Sequence, residues 1–381
     1  MRGRRILIDG TMAKGGGGFT YLVNILPRIT ELAPQDQFRV LVRSERLANS
    51  IKPRPNLEVD LLPEVSPLQR LRFTYRDLPK LVKAWGADLY FSAGESAPMR
   101  ASCPMIASFR NPNVYTSIEQ GWTWKQQLRL RVLREVSRLS SRACDRIMFV
   151  SEDSARWIGD ALNVPERRRA VVHHGMDAAA WGVDREAQAD GYPSSYILSV
   201  SSIYRYKNYV KLIEAYSVLA KRRDDVPDLI IIGDDQDPDY AAQMERARLA
   251  TGEDVAERIH ILGEVPYADI KKYYAGADLF VFPSYLETFG HPLLEAMASG
   301  VATVAADIPV FREVAGDAAF YADPHKADAL ASAMEDALFA SRARQAMIKR
   351  GRERVRTFSW DATARNLSAL FDDVLAERAA A

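Results

Sequence analysis

Short apolar runs alternate along this chain with longer segments whose apolar positions recur at helical spacing. This alternation is typical of β-α-β units that build a parallel sheet. In the first half it predicts seven strands, at residues 4–9, 38–42, 57–62, 88–91, 105–109, 146–150 and 170–173. Helices are predicted between them, near 18–32, 71–84, 117–143 and 153–161.

The pattern starts again after a weakly patterned stretch at 175–195. Five more strands are predicted at 196–200, 228–233, 258–263, 278–283 and 301–306, and the chain reads as helical after residue 326. Near-continuous apolar strands indicate sheets covered by helices on both faces. We therefore predict an α/β protein with two Rossmann-like, doubly wound parallel-sheet domains. Their ligand site is expected in a central cleft lined by the carboxyl ends of strands.

Composition agrees with two globular domains, since the 381 residues are 48% hydrophobic and carry a formal net charge of +1. The charge is uneven: residues 1–180 hold 28 Lys+Arg against 18 Asp+Glu, and the remainder holds 23 against 32. The first half is thus expected to face something anionic. Two cysteines and the lack of a long apolar run predict a cytoplasmic protein without a secretory signal.

The most informative segment is 278–306, DLFVFPSYLETFGHPLLEAMASGVATVAA. A buried strand is followed by a loop that ends at His291, and Pro292 suits the first turn of a helix. Gly300 suits the C-terminal cap of that helix. The loop TFGH therefore lies at a helix N-terminus, where backbone N–H groups attract anions, and Gly290 lets the backbone approach a ligand closely.

Two glutamates of this segment are candidates for ligand binding. Glu295 lies one turn into an apolar helix, so its carboxylate needs hydrogen-bond donors. Ribose hydroxyls would supply them, and the alternative is a carboxylate satisfied by protein groups or by solvent. Glu287 lies in the loop, where a glutamate taken alone is more often solvated than functional.

The run PSYLETFGHPLLEAMASGVATVAA resembles the E-x7-E signature of family 4 glycosyltransferases, which are retaining enzymes of the GT-B fold. The positions in register are Glu287, Phe289, Gly290, Pro292, Glu295, Ala296, Met297 and Gly300. The resemblance implies that Glu295 holds the nucleotide ribose and that Glu287 contacts the donor sugar. It also implies that backbone amides of Phe289, Gly290, His291, Pro292 and Leu293 hold the diphosphate and the sugar hydroxyls.

A second segment, ILSVSSIYRYKNYVKLIEAY at 197–216, resembles the strand-loop-helix that supplies the phosphate-binding lysine of this family. Lys207 and Asn208 match its Lys-Asn pair. Many members place an arginine five residues before that lysine, where this chain has Ser202. We predict Arg205 as the second cation instead, because cations stabilise a departing diphosphate.

Four glycines, Gly15 to Gly18, separate the first predicted strand from the first helix. They do not fit the dinucleotide fingerprint G-x-G-x-x-G in either register. The family resemblance places this loop across the cleft from the donor phosphates, so Gly16, Gly17 and Gly18 are predicted donor contacts. The alternative is a flexible loop without a ligand.

Weaker matches complete the resemblance. TFSWDATARNL, from residue 357, resembles the start of a last helix that returns to the N-terminal domain. The predicted boundaries are 1–176 with 359–381 for the N-terminal domain, 177–195 for the crossover and 196–358 for the donor-binding domain. The His-Asp often found after the fifth strand is replaced here by Arg110 and Asn111, which become candidate sugar or acceptor contacts.

Two other features of the sequence allow more than one interpretation. The aspartates of GDDQDPD at 233–239 could bind a divalent metal, but a turn before a helix explains them more simply, and no metal or other cofactor is expected. The basic segment 121–146 is either a solvated helix face or a surface for anionic lipid, with Trp122 and Trp124 at the interface. Nucleic-acid binding is disfavoured because no reading module accompanies the charge.

The sequence thus predicts transfer of a hexose, with mannose as one candidate, from a nucleoside diphosphate sugar to a glycan or lipid-linked acceptor. Surface polysaccharide or lipid-linked glycan assembly is the expected setting, at the cytoplasmic face of the membrane. The alternatives are a sugar-nucleotide epimerase of the same architecture and a non-enzymatic sugar-nucleotide sensor.

Overall fold

The computed structural model describes residues 3–13, 15–116, 123–182 and 195–380. The described chain forms two compact units, one of residues 3–175 with 360–380 and one of residues 176–359. Within these ranges no helix is long and apolar enough to cross a bilayer. The predicted crossover lies mostly at 183–194, outside the described residues, and so do Trp122 and the rest of 117–122.

The first unit is built on seven parallel strands in the order β3-β2-β1-β4-β5-β6-β7. The strands are β1 (Arg5–Asp9), β2 (Gln37–Val42), β3 (Leu57–Leu61), β4 (Leu89–Ser92), β5 (Met105–Ser108), β6 (Arg146–Phe149) and β7 (Arg169–Val171). Its helices are α1 (Gly16–Leu32), α2 (Glu45–Ser50), α3 (Pro67–Arg72), α4 (Leu78–Trp85), α5 (Trp124–Ala143), α6 (Glu152–Ala161) and the last helix, α16 (Trp360–Ala380).

The second unit has six parallel strands in the order β10-β9-β8-β11-β12-β13. They are β8 (Tyr196–Val200), β9 (Asp228–Ile232), β10 (Ile259–Gly263), β11 (Leu279–Phe282), β12 (Ala302–Ala306) and β13 (Phe320–Ala322). Its helices are α7 (Ala178–Trp181), α8 (Tyr209–Arg222), α9 (Pro238–Leu249), α10 (Glu253–Ala256), α11 (Tyr267–Gly276), α12 (His291–Ala298), α13 (Pro309–Ala315), α14 (Ala327–Phe339) and α15 (Ser341–Val355).

Helix α16 completes the core of the first unit. Its apolar residues recur three or four positions apart, which places Leu367, Phe371 and Val374 on one buried face. The ring of Phe371 lies 5.5 Å from that of Phe91 in β4. The chain therefore returns to its first unit after completing the second.

The strand order reverses at one point in each sheet, between β1 and β4 in the first and between β8 and β11 in the second. Loops that leave such a switch point at the carboxyl ends of the strands diverge and leave a crevice in which ligands of this fold class bind. In the second unit the loop after β8 carries Lys207, and the loop after β11 carries Glu287.

Three local features differ from the expectations. The predicted helix at 71–84 is α3 and α4 joined by a π-helical turn at Phe73–Asp77. The strand β13 was missed because its three residues are too few to show an apolar run. Helix α2 was missed because its six residues are too few to show a helical period.

Candidate active site

Two glycines, one at each end, bound the helix α12 that follows β11. Gly290 is the N-cap of α12 with φ of +100°, a conformation that favours glycine, and Pro292 lies in the first turn. Gly300 follows the helix with φ of +71°. The amides of Gly300 and Val301 donate to the carbonyls of Met297 and Ala296, at 3.1 and 3.0 Å, which closes a Schellman cap. The helix therefore begins and ends where the sequence predicts.

Glu295 lies on α12 and is buried. The hydroxyl of Tyr274 donates to Oε2 at 3.1 Å, and that of Tyr267 approaches Oε1 at 3.4 Å. Burial raises the pKa of Glu295 from 4.5 to about 7, although both tyrosine hydrogen bonds oppose that rise. The predicted need for donors is thus met in part by two protein groups, which sequence reasoning missed.

Three aromatic side chains are clustered at this carboxylate, the two tyrosines and Trp181. The ring of Trp181 in α7 lies 5.5 Å from that of Tyr274 and 5.9 Å from that of Tyr267, both edge-on. The hydroxyl of Ser299 donates to the carbonyl of Trp181 at 3.1 Å, which joins α7 to the end of α12. A carboxylate has about four acceptor positions, so Glu295 retains capacity for a ligand diol beyond its two tyrosines.

Lys207 and Glu287 meet at the switch point between β8 and β11. The Nζ atom of Lys207 lies 2.5 Å from Oε1 of Glu287, and both side chains are about nine-tenths buried. The ammonium group also lies over the rings of Tyr206 and Phe282, at 5.1 and 5.3 Å from their centroids. A desolvated cation in this position can compensate negative charge that develops nearby.

Asn208 holds these loops in place. It adopts φ of +65° just before α8, and its Nδ2 donates to the carbonyls of Pro283 and Pro324, at 3.1 and 2.7 Å. One amide therefore fastens the loop after β8 to the loops after β11 and β13. Because Asn208 directly follows Lys207, these two hydrogen bonds also help to hold the backbone at Lys207 in place.

Arg205, predicted as the second cation for the diphosphate, is engaged elsewhere. Its Nε atom pairs with Oδ2 of Asp237 at 3.0 Å, and its guanidinium lies 5.6 Å from the ring centroid of Tyr240. Asp237 also caps α9, because its side chain accepts from the amide of Tyr240 at 3.1 Å. This pairing favours a structural role for Arg205 between β8 and α9, and its role as the second cation stays a prediction.

The predicted amide contacts are also fewer than expected. Pro292 has no N–H, and the amide of Leu293 donates to the carbonyl of Gly290 at 3.0 Å as part of the helix. The rings of Phe289 and His291 lie 5.3 Å apart, edge-on. For the amides of Phe289, Gly290 and His291 the diphosphate role stays a prediction.

The aspartates at 233–239 form a turn, as the simpler interpretation expects. Asp235 accepts from the amide of Asp237 at 3.0 Å, and the side chain of Gln236 donates to Asp234 at 2.5 Å. In the described ranges no three His, Cys, Asp or Glu side chains are grouped so that they could hold a metal ion.

The glycine loop of the first unit, Gly15 to Gly18, consists of the N-cap of α1 at Gly15 and the first three residues of that helix. Gly16 has φ of +55°, and a Cβ built on Gly15, Gly16 or Gly17 would meet no described atom within 4 Å. Gly18 differs, since its Cβ would lie 3.3 Å from that of Ala13. Packing within the described chain therefore does not require glycine at 15 or 17, and no side chain caps the N-terminus of α1.

Arg110 and Asn111 follow β5, and both of their amides donate to Oε1 of Glu95, at 3.0 and 2.5 Å. The guanidinium of Arg110 donates to the carbonyl of Ala93 and lies 4.7 Å from the ring centroid of Tyr21. Burial raises the pKa of Glu95, and the two amides oppose that rise. Glu95 was not predicted from the sequence, and it fixes the start of the loop that begins at Arg110.

Asn111 has a local structural role. Its side chain accepts from the amide of Asn113 at 3.1 Å and caps a short 3-10 turn at Pro112–Val114. The structure thus brings Lys207, Glu287 and the start of α12 together in the second unit. It places the glycine loop, Arg110 and Asn111 in the first unit.

Two family models match the chain, one on each unit. Residues 16–180 match the model described as "Glycosyltransferase Family 4", and residues 184–354 match "Glycosyl transferases group 1". The two matches together extend over most of the sequence.

Curated relatives include O-antigen chain mannosyltransferase B of Escherichia coli, 40% identical over 27% of this chain and 27% of that protein. The O-antigen chain mannosyltransferase RfbU of Salmonella typhimurium is 27% identical over 53% of this chain and 54% of that protein. A phosphatidyl-myo-inositol mannosyltransferase of Mycolicibacterium smegmatis is 27% identical over 82% of this chain and 79% of that protein. The chain spans from about a quarter to about half the length of the first two relatives.

Solved structures share the fold over nearly the whole chain. The Anabaena protein Alr3699/HepE, crystallised with UDP and glucose, matches with a TM-score of 0.74 at 19% identity, covering 97% of this chain and 100% of that one. A sucrose-phosphate synthase of Thermosynechococcus elongatus also has a TM-score of 0.74, at 18% identity and 98% and 100% coverage. The predicted GT-B fold class is confirmed.

Proposed function

This chain belongs to the family 4 glycosyltransferases, and we propose that it transfers a hexose from a nucleoside diphosphate sugar to an acceptor hydroxyl with retention of configuration. One observation carries the proposal: the buried pair of Lys207 and Glu287 lies at the switch point beside the loop that starts the helix of Glu295. Mannose is the first candidate, because the names of several relatives specify mannosyl transfer.

Each part of the donor has a proposed partner. The ribose diol donates to the acceptor positions of Glu295 that Tyr274 and Tyr267 leave open. The diphosphate binds Lys207 and the amides at the start of α12, where the helix dipole favours negative charge. No metal is then required, because the lysine and the helix N-terminus compensate the charge of the leaving group.

Glu287 is proposed to orient the donor sugar. Its ion pair with Lys207 fixes its carboxylate in place as an acceptor for sugar hydroxyls. The glycine loop of the first unit is proposed as a further phosphate-binding element, because its glycines leave room for close backbone approach. Arg110 is proposed to contact the sugar or the acceptor.

The proposed reaction proceeds on one face of the sugar. The bond from the anomeric carbon to the diphosphate oxygen breaks, and the acceptor oxygen forms the new bond from the same side. The acceptor proton passes to the departing phosphate oxygen, so the products are the glycoside and the nucleoside diphosphate. Lys207 and the amides stabilise the charge that develops on the leaving group.

A product assay tests this proposal. The protein is incubated with sugar nucleotides and glycan acceptors, and the anomeric configuration of any product is determined by NMR. We expect an acceptor-dependent product with the configuration of the donor, and strong loss of turnover in Lys207→Gln. Conversion of the donor to an epimer without acceptor would identify an epimerase, and binding without turnover would identify a sensor.

The acceptor side is proposed to lie at the inner face of a membrane. Helix α5 exposes Trp124, Leu128 and Val132, four residues apart, at 70%, 54% and 49% of their surface. The same helix carries six Lys or Arg against one Glu. An exposed apolar stripe with cationic neighbours suits an anionic lipid surface.

Vesicle sedimentation tests the membrane proposal. We expect binding to vesicles with anionic lipid at low salt and clear loss in Leu128→Ser. The matched control is Leu249→Ser, which alters a leucine exposed at 60% on α9. Absence of binding at low salt would remove the proposal.

A further inference from the structure

A cavity of about 550 Å³ lies in the first unit, at the carboxyl ends of β2 and β3. The two strands pair in parallel, and the amide of Leu62 donates to the carbonyl of Val42 at 2.7 Å. The two segments that leave these strands, 43–45 and 61–64, therefore run side by side and form the wall of the cavity. Small-molecule sites have volumes of about 300–1,000 Å³, so this cavity is large enough for one ring of a ligand.

The charged groups in this wall favour a neutral ligand over an anion. The wall holds the carboxylates of Glu45 and Glu64 and the guanidinium of Arg43, a formal balance of two negative charges to one positive. The side chain of Glu45, the first residue of α2, forms no ion pair with a described residue. A phosphate or carboxylate in the cavity would meet this excess of negative charge, whereas a neutral hydroxyl group can donate to either carboxylate.

Arg43 contributes a hydrogen-bond donor that is held in place, since only 4% of its surface is exposed. Its Nη1 donates to the carbonyl of Pro63, and its guanidinium lies 4.8 Å from the ring centroid of Phe73. Its Nη2 has no hydrogen-bond partner among the described residues, and it is not enclosed as its Nε is. Because the other contacts fix the plane of the guanidinium, Nη2 is an oriented donor for an oxygen atom of a ligand.

Two leucines supply most of the apolar part of the wall. Leu61 exposes 49% of its surface, and Leu62 is partly buried against the core of the first unit. Pro63 adds a third apolar side chain to the same wall. A sugar ring carries hydroxyl groups together with C–H groups, so it can use hydrogen-bond acceptors, an oriented donor and an apolar surface at the same time.

We propose that this cavity binds an uncharged sugar ring of the acceptor. Glu45 and Glu64 accept hydrogen bonds from its hydroxyl groups, and Arg43 donates to one of its oxygen atoms. The two leucines contact its C–H groups. This inference rests on the proposed transferase function, and it narrows the acceptor of that reaction to a glycan with a neutral sugar at this site. The two carboxylates disfavour an acidic sugar or a phosphorylated polyol.

Ligand-observed NMR titration tests this site, with methyl α-mannoside, methyl α-glucoside and glucuronate as the probes at constant ionic strength. We expect saturable binding of at least one neutral glycoside, with a dissociation constant at least about tenfold lower than that of glucuronate. Glu45→Gln and Glu64→Gln should each weaken binding of the glycoside about tenfold or more, because each removes a charge-assisted hydrogen bond. Both variants should also narrow the difference between the glycoside and glucuronate, because the charge that repels glucuronate is reduced.

The control is Glu166→Gln, which alters an exposed carboxylate on a 3-10 turn of the same unit, outside the wall of the cavity. This variant should bind the glycoside as the wild type does. The proposal is overturned if neither glycoside binds, if glucuronate binds as tightly as they do, or if both wall variants bind as the wild type does. It is also overturned if Lys207→Gln abolishes binding while both wall variants retain it, because the sugar then occupies the proposed donor site.

The titration contains no sugar nucleotide, so its outcome does not depend on hexose transfer. A protein without transferase activity would still bind the glycoside in a manner that requires Glu45 and Glu64. A protein that transfers a hexose while both wall variants bind the glycoside normally would retain the proposed function and lose the proposed acceptor site.

Discussion

The carboxylate of Glu295 is expected to affect binding and stability in opposite directions. It is proposed to bind the ribose of the nucleotide, but its burial in the ionised form destabilises the folded protein. Burial raises its pKa from 4.5 to about 7. A carboxyl group whose pKa is higher in the folded chain stabilises folding fully below pH 4.5. That contribution is lost as the pH rises through about 7.

The size of this effect on the free energy of unfolding follows from the same two pKa values. One pKa unit corresponds to about 1.4 kcal/mol, so the rise is worth on the order of 3 kcal/mol in the free energy of unfolding. Glu295→Gln keeps the shape of the side chain and removes its titration. We expect the variant to be about 2–3 kcal/mol more stable than the wild type at pH 8, with the difference closing toward pH 5. Nucleotide binding should weaken in the same variant.

The assay is urea unfolding followed by far-UV circular dichroism between pH 5 and pH 8, beside nucleotide titrations. Glu287→Gln is the control, because it removes a carboxylate that is paired with Lys207 and should destabilise the protein at pH 8. The reasoning is refuted if Glu295→Gln is the less stable protein at pH 8, or if its difference from the wild type does not change with pH.

Two further predictions concern the same unit. Gly290→Ala should destabilise the protein more than Gly252→Ala in thermal unfolding: both have φ near +100°, but only the first would place a Cβ 2.9 Å from the ring of Phe311. Equal losses would show that backbone strain alone matters. Lys207→Gln should lower the turnover number by about 10² or more, and Arg205→Gln by less than about tenfold, in donor-consumption assays. Comparable losses would contradict the structural role of Arg205.

Much of the second unit could be predicted because its determinants are local. The positive φ of Gly290 and Gly300 and the proline in the first turn of α12 fix where that helix begins and ends. The apolar strands could be located for a similar reason, since burial on both faces leaves a continuous run in the sequence.

The contacts that complete the site could not be predicted, because they join residues that are distant in the sequence. Tyr274 and Tyr267 reach Glu295 from a different helix, 21 and 28 positions away. Asp237 reaches Arg205 from the turn before α9. Neither pairing leaves a periodic pattern, and only tertiary packing reveals that one carboxylate has donors and that one cation is already neutralised.

The most direct test of the account is a binding panel of UDP, GDP, ADP, CDP and dTDP with the wild type and Glu295→Gln, measured by thermal shift. A nucleotide at 100 times its dissociation constant adds about 2.7 kcal/mol to the stability of the folded state. We predict stabilisation by the diphosphate of one base, which is reduced in the variant. Stabilisation by none of the five would contradict the proposed donor site and with it the proposed transferase function.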